Sequence, residues 1–236
     1  MKFKFKHQKF QEDAARAVVD VFRGQPKSEG SRYLVDPGES REAALLSAVG
    51  YANAPLALPP SILRENLHAV QEANQLPHTD ELGTNPKFTV EMETGTGKTY
   101  TYIKTMYELW QHYGWQKFII VVPNVAIREG VYKTFQQTQE HFAMEYGRKV
   151  EFFIYDSRRL AEIETFAEMS GIRVMIINIQ AFNARGKDAR RIRMKLDEFG
   201  SRRPIDVIAA TRPIVIIDEP QSVEGAQAKK SLADLG

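Results

Sequence analysis

Near the amino end, apolar residues recur at helical spacing. Phe10, Ala14, Ala17, Val18, Val21 and Phe22 form the stripe and Gly24 supplies a stop, which predicts an amphipathic helix over 10–23. From residue 88 the pattern changes to short apolar runs at Phe88–Met92, Phe118–Val122, Glu151–Tyr155, Val174–Ile179 and Ile214–Ile217. Helical candidates at about 98–112, 126–142 and 158–169 separate the first four runs. Several runs are rich in Ile and Val without polar alternation, as parallel strands buried on both faces require. The alternation predicts an α/β fold: a doubly wound, mostly parallel sheet with helices on both faces and right-handed crossovers. In such sheets ligands bind beyond the carboxyl ends of the strands.

Residues 24–87 differ in texture, because Gly30, Pro37-Gly38, Pro55, Pro59-Pro60, Pro77 and Pro86 interrupt any periodicity. One helix is predicted there, from Ser61 to Asn74, with Ser61 as N-cap and Ile62, Leu63, Leu67 and Val70 as its buried stripe. The region reads as an insertion packed on the core or partly disordered, and not as an independent domain. A length of 236 residues, 43% of them hydrophobic and 26% charged, suits one large globular domain. With no cysteine, disulfides, thiolate zinc sites and cysteine nucleophiles are excluded. The net charge of +2 carries no nucleic-acid signal by itself. The basic start leads into no signal-peptide core, and no uncharged apolar run approaches the roughly 18 residues of a membrane span. A cytoplasmic protein without membrane partners is expected.

The segment Glu91-Met92-Glu93-Thr94-Gly95-Thr96-Gly97-Lys98-Thr99 follows a predicted strand and opens a predicted helix, the context a phosphate-binding loop requires. Gly95 and Gly97 let backbone N–H groups of the Thr94–Gly97 loop turn inward around phosphate oxygens, and the helix N-terminus adds partial positive charge. Lys98 is expected to reach the β- and γ-phosphates of ATP, and the Thr99 hydroxyl to hold Mg²⁺. Met92 stands where the strict pattern has glycine, so the loop is a variant. A chance glycine-rich turn would rarely bring both glycines, the lysine and the threonine into register. A second element, Pro213 to Gln221, delivers two carboxylates at the end of four branched aliphatics. Asp218 would complete the Mg²⁺ shell, largely through water, and Glu219 would orient and deprotonate the attacking water. Alone, the two acids could merely cap a turn. Together with the loop they make Lys98, Asp218 and Glu219 the candidate catalytic set.

This loop with its downstream Asp-Glu box resembles the first RecA-like lobe of the helicase and translocase superfamily that includes the DEAD-box proteins. Val121–Val131 and Asp218–Gln221 make it similar in particular to the restriction (Res) subunit of type III restriction–modification enzymes. Phe10–Ala14, Glu91–Tyr102, Tyr155–Ser157 and Ile176–Phe182 share the resemblance, and 24–87 does not. It implies a RecA-like P-loop fold and ATP hydrolysis coupled to movement on double-stranded DNA. It also implies a second RecA-like lobe in the same polypeptide and a modification methyltransferase subunit as partner. Gln11 matches the glutamine that reads the adenine edge, although it could equally be a solvent-facing helix residue. Asn124 to Arg128 take the place of a helix start that contacts DNA phosphates. Arg128 could instead be a surface residue bonded to Glu129 or Glu145. Gln180 to Asn183 match a second phosphate-contact turn, and Gln221 a coupling position.

On this reading residues 1–236 form one motor domain: a lead-in helix over 1–23, the insertion over 24–87 and the P-loop core over 88–236. The second lobe with its arginine fingers, and the nuclease, are expected beyond Leu235-Gly236, so the isolated chain should turn over slowly. Lys187, Arg190, Arg191, Arg193 and Lys195 surround a short predicted helix with Ile192, Leu196 and Phe199 as its stripe, and Arg202 and Arg203 follow. These, and the alternating Lys2–Lys6 with Phe3 and Phe5 inward, read as solvated faces rather than a DNA track. Tyr100, Tyr102, Tyr107, Trp110, Tyr113 and Trp115 read as helix packing. Other readings remain: a P-loop kinase, a GTPase (whose Asn-Lys-x-Asp motif is not found), or a nucleotide-binding scaffolding or DNA-binding lobe without turnover, which has no need of Glu219.

Overall fold

The computed structural model describes residues 5–38, 49–83, 85–182 and 191–223. Lys2, Phe3, Lys4, Asn183, Lys187, Arg190, Leu235 and Gly236 lie outside the described residues. In chain order the elements are α1 (Lys9–Val21), β1 (Ser31–Leu34), β2 (Val49–Ala52), α2 (Pro60–Ala73), α3 (Lys98–Tyr113), β3 (Lys117–Val122), α4 (Val125–Tyr146), β4 (Glu151–Ile154), α5 (Ala161–Glu168), β5 (Arg173–Asn178), α6 (Pro204–Ala210) and β6 (Ile214–Ile217). Short 3₁₀ turns occupy Ile179–Phe182, Asp197–Phe199 and Pro220–Val223.

Strands β3 to β6 form a parallel sheet in the order β4-β5-β3-β6. Central β3 pairs Val121 with Ile177 of β5 on one side and with Ile217 of β6 on the other. All six β3 residues are buried, which explains the unbroken apolar run. Alternate residues serve opposite faces. Phe118, Ile120 and Val122 pack with Ile103, Met106 and Tyr107 of α3 and Phe135 and Phe142 of α4. Ile119 and Val121 pack with Ile163 and Phe166 of α5 and Ile205 and Ile208 of α6. This is the doubly covered RecA-like P-loop sheet expected from the sequence. Replacing Ile120 with Ala would leave a void between β3 and α3, costing about 2–5 kcal/mol.

Several sequence expectations need correction. Phe88–Met92 joins no ladder: it has no strand conformation, and among the described residues the sheet ends at β6. Its Phe88 instead packs edge-on against Phe22, 5.6 Å between ring centroids, in a small cluster with Val21, Leu63 and Leu67. Helix α1 buries Val21 of the expected stripe together with Ala15 and Val19, which lay outside it, while Phe10 at the head of the stripe is exposed. Two neighbours explain the broader face: Val19 lies in the cluster of α3, and Val21 in that of α2. Helix α2 starts one residue early, with Pro59 as N-cap and Pro60 in the first turn, so Ser61 caps nothing. Leu63 and Leu67 are buried as expected, while Ile62 is exposed. Ile192, Leu196 and Phe199 are buried too, but turns and the Asp197–Phe199 3₁₀ segment carry the last of them instead of one continuing helix.

The insertion also contains an unforeseen antiparallel hairpin, β1 with β2. Just after it, buried Asn53 stitches the region to the sheet. Its side chain donates to Lys117 O (2.8 Å) and accepts from Gln116 N (2.7 Å) and Lys117 N (2.9 Å). Its backbone N–H donates to Thr211 O at 2.9 Å, and Arg212 Nε donates to its carbonyl at 2.7 Å. These bonds satisfy the amino ends of β3 and the approach to β6 together.

Candidate active site

The loop before α3 turns at two glycines, with φ of 82° at Gly95 and 87° at Gly97. Gly97 serves as the N-cap of α3, so Lys98 opens the helix where its free N–H groups and positive dipole end lie. Space is tight there: a Cβ at Gly97 would come 2.6 Å from Gln11 Nε2. Gln11 donates that Nε2 hydrogen to Thr96 O at 2.8 Å, so α1 holds the loop from behind. The Thr96 hydroxyl closes a turn onto Glu93 O at 2.6 Å. The expected residues thus divide between a turn, Thr94 to Gly97, and the first turn of α3, Lys98 and Thr99, with α1 bonded to the turn through Gln11.

The acidic pair arrives from β6. Asp218 N donates to Val121 O at 3.0 Å, which extends the β3–β6 pairing one residue and anchors the first acid. Glu219 then takes a left-handed backbone, φ 56°, an uncommon conformation for a residue with a side chain. Lys98 Nζ lies 3.7 Å from Glu219 Oε1, and the two side chains remain 34% and 36% exposed, so the site is open on one side. Gln221 Nε2 donates to the other Glu219 oxygen. Burial and the adjacent charge of Glu219 raise the Asp218 pKa, against the pull of Tyr102 and Lys98. Tyr102, one turn into α3, donates its hydroxyl to Asp218 Oδ2 over a long 3.4 Å and also meets the Thr99 side chain. Burial, then the charge of Asp218, pushes the phenol's pKa far up, so it stays a proton donor.

The remaining candidates sit on the same carboxyl edge. Asn124 is the N-cap of α4, its side chain accepting from Ile127 N at 2.9 Å. Arg128 forks onto Glu129 Oε1 (2.8 and 3.2 Å), one of the pairings anticipated for it. Gln180 donates to Pro123 O at 2.7 Å and ties the turn after β5 to the turn after β3. Other basic residues are occupied elsewhere: Arg191 and Arg202 pair with Glu198 and Glu164, and Arg203 with Asp206. A cavity of about 290 Å³ lies beside α6, lined in part by Tyr33, Asp36 and Arg202, away from the loop and the acids.

A family model described as type III restriction enzyme, res subunit, matches residues 5–230. The chain belongs to this Res family. Similar curated proteins are the Res subunits of three type III restriction-modification enzymes. The chain is 33% identical to that of EcoP15I from Escherichia coli over 190 residues, 72% of this chain and 19% of the relative. It is 32% identical to that of EcoPI from Escherichia phage P1 over 176 residues, 66% of this chain and 18% of the relative. It is 38% identical to that of StyLTI from Salmonella typhimurium over 152 residues, 56% of this chain and 15% of the relative. The chain therefore spans less than a fifth of these relatives' length. Every site residue above, from Gln11 to Gln221, falls inside the matched range of the Res model.

Among the described residues of this Res-family chain, no three His, Cys, Asp or Glu side chains gather as a metal cage. The Asp218 carboxylate and the Thr99 hydroxyl, each a partner of the Tyr102 phenol, are hard oxygens. Such a sparse set fits Mg²⁺, which keeps several waters and takes other ligands from substrate phosphates. No described helix is long and apolar enough to cross a membrane. The residue that sequence reasoning missed is Tyr102, assigned there to packing alone. Its place three residues after Thr99, on the same helical face, was the available signal.

Proposed function

We propose that this chain is the ATP-binding motor lobe of a DNA-dependent ATPase, the Res subunit of a type III restriction enzyme. The observation that carries the reading is the meeting of Lys98 with the acidic pair: 3.7 Å to Glu219, on a loop and a strand end that only the folded sheet brings together. Lys98 and the loop N–H groups would bind the β- and γ-phosphates of ATP. Glu219 would accept the proton of the water that attacks the γ-phosphorus in line, with ADP as leaving group. Thr99 and Asp218 would hold Mg²⁺, which supplies charge neutralisation at the phosphates. Gln11 would face the adenine, and Asn124, Arg128 and Gln180 the phosphates of duplex DNA, with Gln221 linking the two.

The rest of the reading is organisational. Residues 1–236 act as one motor domain with 24–87 as an insertion. A second RecA-like lobe, a nuclease and a modification methyltransferase subunit complete the enzyme in the cytoplasm, as the restriction-modification names and the far greater length of the relatives suggest. The reading is tested with a fluorescent ATP analogue and Mg²⁺, displaced by ATP or GTP, on the chain and on Lys98→Ala. ATP should displace better than GTP, and Lys98→Ala should lose tight binding without a change in melting. An exposed pair such as Lys98–Glu219 stabilises by only about 0–1 kcal/mol, so unfolding would not explain the loss. Preference for GTP, or undiminished binding by Lys98→Ala, would overturn it.

A further inference from the structure

We propose that Tyr102 is a positioning residue for the acid of the ATP site, its phenol bridging the Asp218 carboxylate and the Thr99 side chain. The inference rests on the reading of the site given above. Tyr102 stands one turn after Thr99 on α3, and long helical side chains lean back toward the N-terminus. That lean brings its hydroxyl to Asp218 Oδ2, 3.4 Å away on a strand end far along the chain. The ring belongs to the core between α3 and the sheet, a role phenylalanine would fill as well. The hydroxyl, in contrast, sits where a polar group must find partners, and its partners are the two oxygen donors suited to Mg²⁺.

Asp218 is otherwise steadied by its backbone bond to Val121 O and by the Glu219 N–H at its carboxylate. Neither fixes the carboxylate's rotation from the side of α3. A carboxylate oxygen that accepts one hydrogen bond keeps lone-pair capacity for a cation. Tyr102 therefore orients Asp218 and aligns Thr99 with it, without touching substrate.

The test measures binding of a fluorescent ATP analogue against Mg²⁺ concentration in the chain, Tyr102→Phe, Asp218→Asn and the double variant. Tyr107→Phe, whose ring stacks on Phe142 and Tyr146 on the same helix, controls for loss of a phenol elsewhere. Tyr102→Phe should raise the Mg²⁺ midpoint about tenfold, the lower end of what a hydrogen-bond partner of a metal ligand contributes. Metal-free nucleotide binding should stay as in the parent, and Tyr107→Phe should not move the midpoint. In the Asp218→Asn background, Tyr102→Phe should add nothing. An unmoved midpoint, an equal loss of metal-free binding, or additive losses in the double variant would overturn the proposal while leaving the ATP site intact. If Tyr102→Phe melts lower, the double-variant comparison decides, since a stability effect common to both backgrounds cancels. Failure of the parent chain to bind nucleotide, or unchanged binding in Lys98→Ala, would instead remove the ATP site and this proposal with it.

Discussion

The side-chain amide of Gln11 donates to the backbone carbonyl of Thr96 at 2.8 Å, so helix α1 holds the glycine loop that precedes α3. The same amide retains an oxygen and a second N–H for a base edge. Gln11→Ala should weaken ATP binding about two- to tenfold, the net worth of one such bond, and should narrow the preference for ATP over GTP. Displacement titrations with both nucleotides check this. Equal losses for the two would assign Gln11 to loop support alone.

Glu219 combines its proposed role as proton acceptor with an unfavourable backbone, φ 56°. Glycine accepts that conformation freely, so Glu219→Gly should be no less stable than the parent and should gain up to about 1 kcal/mol from relieved strain. Turnover in a catalytically competent Res protein should nevertheless fall roughly 10²–10⁴-fold, as it should in Glu219→Gln. Calorimetric melting beside steady-state phosphate release separates the two effects. A Glu219→Gly variant that melts lower and turns over normally would show the acid to be structural.

Arg128 is held by its neighbour Glu129 and not by a remote acid. Glu129→Gln should release the guanidinium and tighten binding to duplex DNA. Arg128→Ala should weaken binding uniformly across sequences and reduce the slope of log affinity on log salt by about 1. Anisotropy titrations at several salt concentrations measure both. Identical salt slopes in all three proteins would remove Arg128 from the DNA surface.

Lys117 is fully buried at the start of β3, its Nζ donating to Phe166 O and to Met169 O (2.6 Å) beyond the end of α5. Burial, and then Arg173, lowers its pKa to about 7. The unfolded chain, with lysine near its ordinary ~10.4, binds the proton more tightly. Stability should therefore rise with pH from about 7 upward as the folded form sheds a proton the unfolded form keeps, while below 7 this contribution is constant. Melting temperatures across pH 6–9 should show this rise in the parent and lack it in Lys117→Met. Parallel profiles would mean that Lys117 stays charged in the fold.

The strands β3 to β6 and the turn at Gly95 and Gly97 were legible because each is written locally, in short apolar runs or in paired glycines before a helix. The hairpin β1–β2 was not: its strands alternate in burial over only four residues each, and the alternation leaves apolar Leu34 and Val49, which pair with each other, on the exposed side. Phe88–Met92 reads as a strand because its composition suits one, yet pairing depends on a neighbour that composition does not specify. Tyr102 was hidden for a different reason. An aromatic on a packed helix face has the same pattern whether or not its hydroxyl meets a carboxylate 116 residues away. Arg128 pairs with Glu129, one of the two partners named, because adjacency makes that contact available in any fold.

The strand order has a consequence for a chain leaving the ribosome. Both neighbours of β3 come later in sequence, β5 first and β6 last. The apolar run Phe118–Val122 is therefore made well before either edge that will cover it, and such runs invite association between nascent chains. Lys98 is also synthesised long before Glu219, so nucleotide has no complete pocket to occupy in that interval. On the proposed reading ATP would be a ligand of the finished sheet alone, and it could not shorten the time during which the growing chain must be shielded.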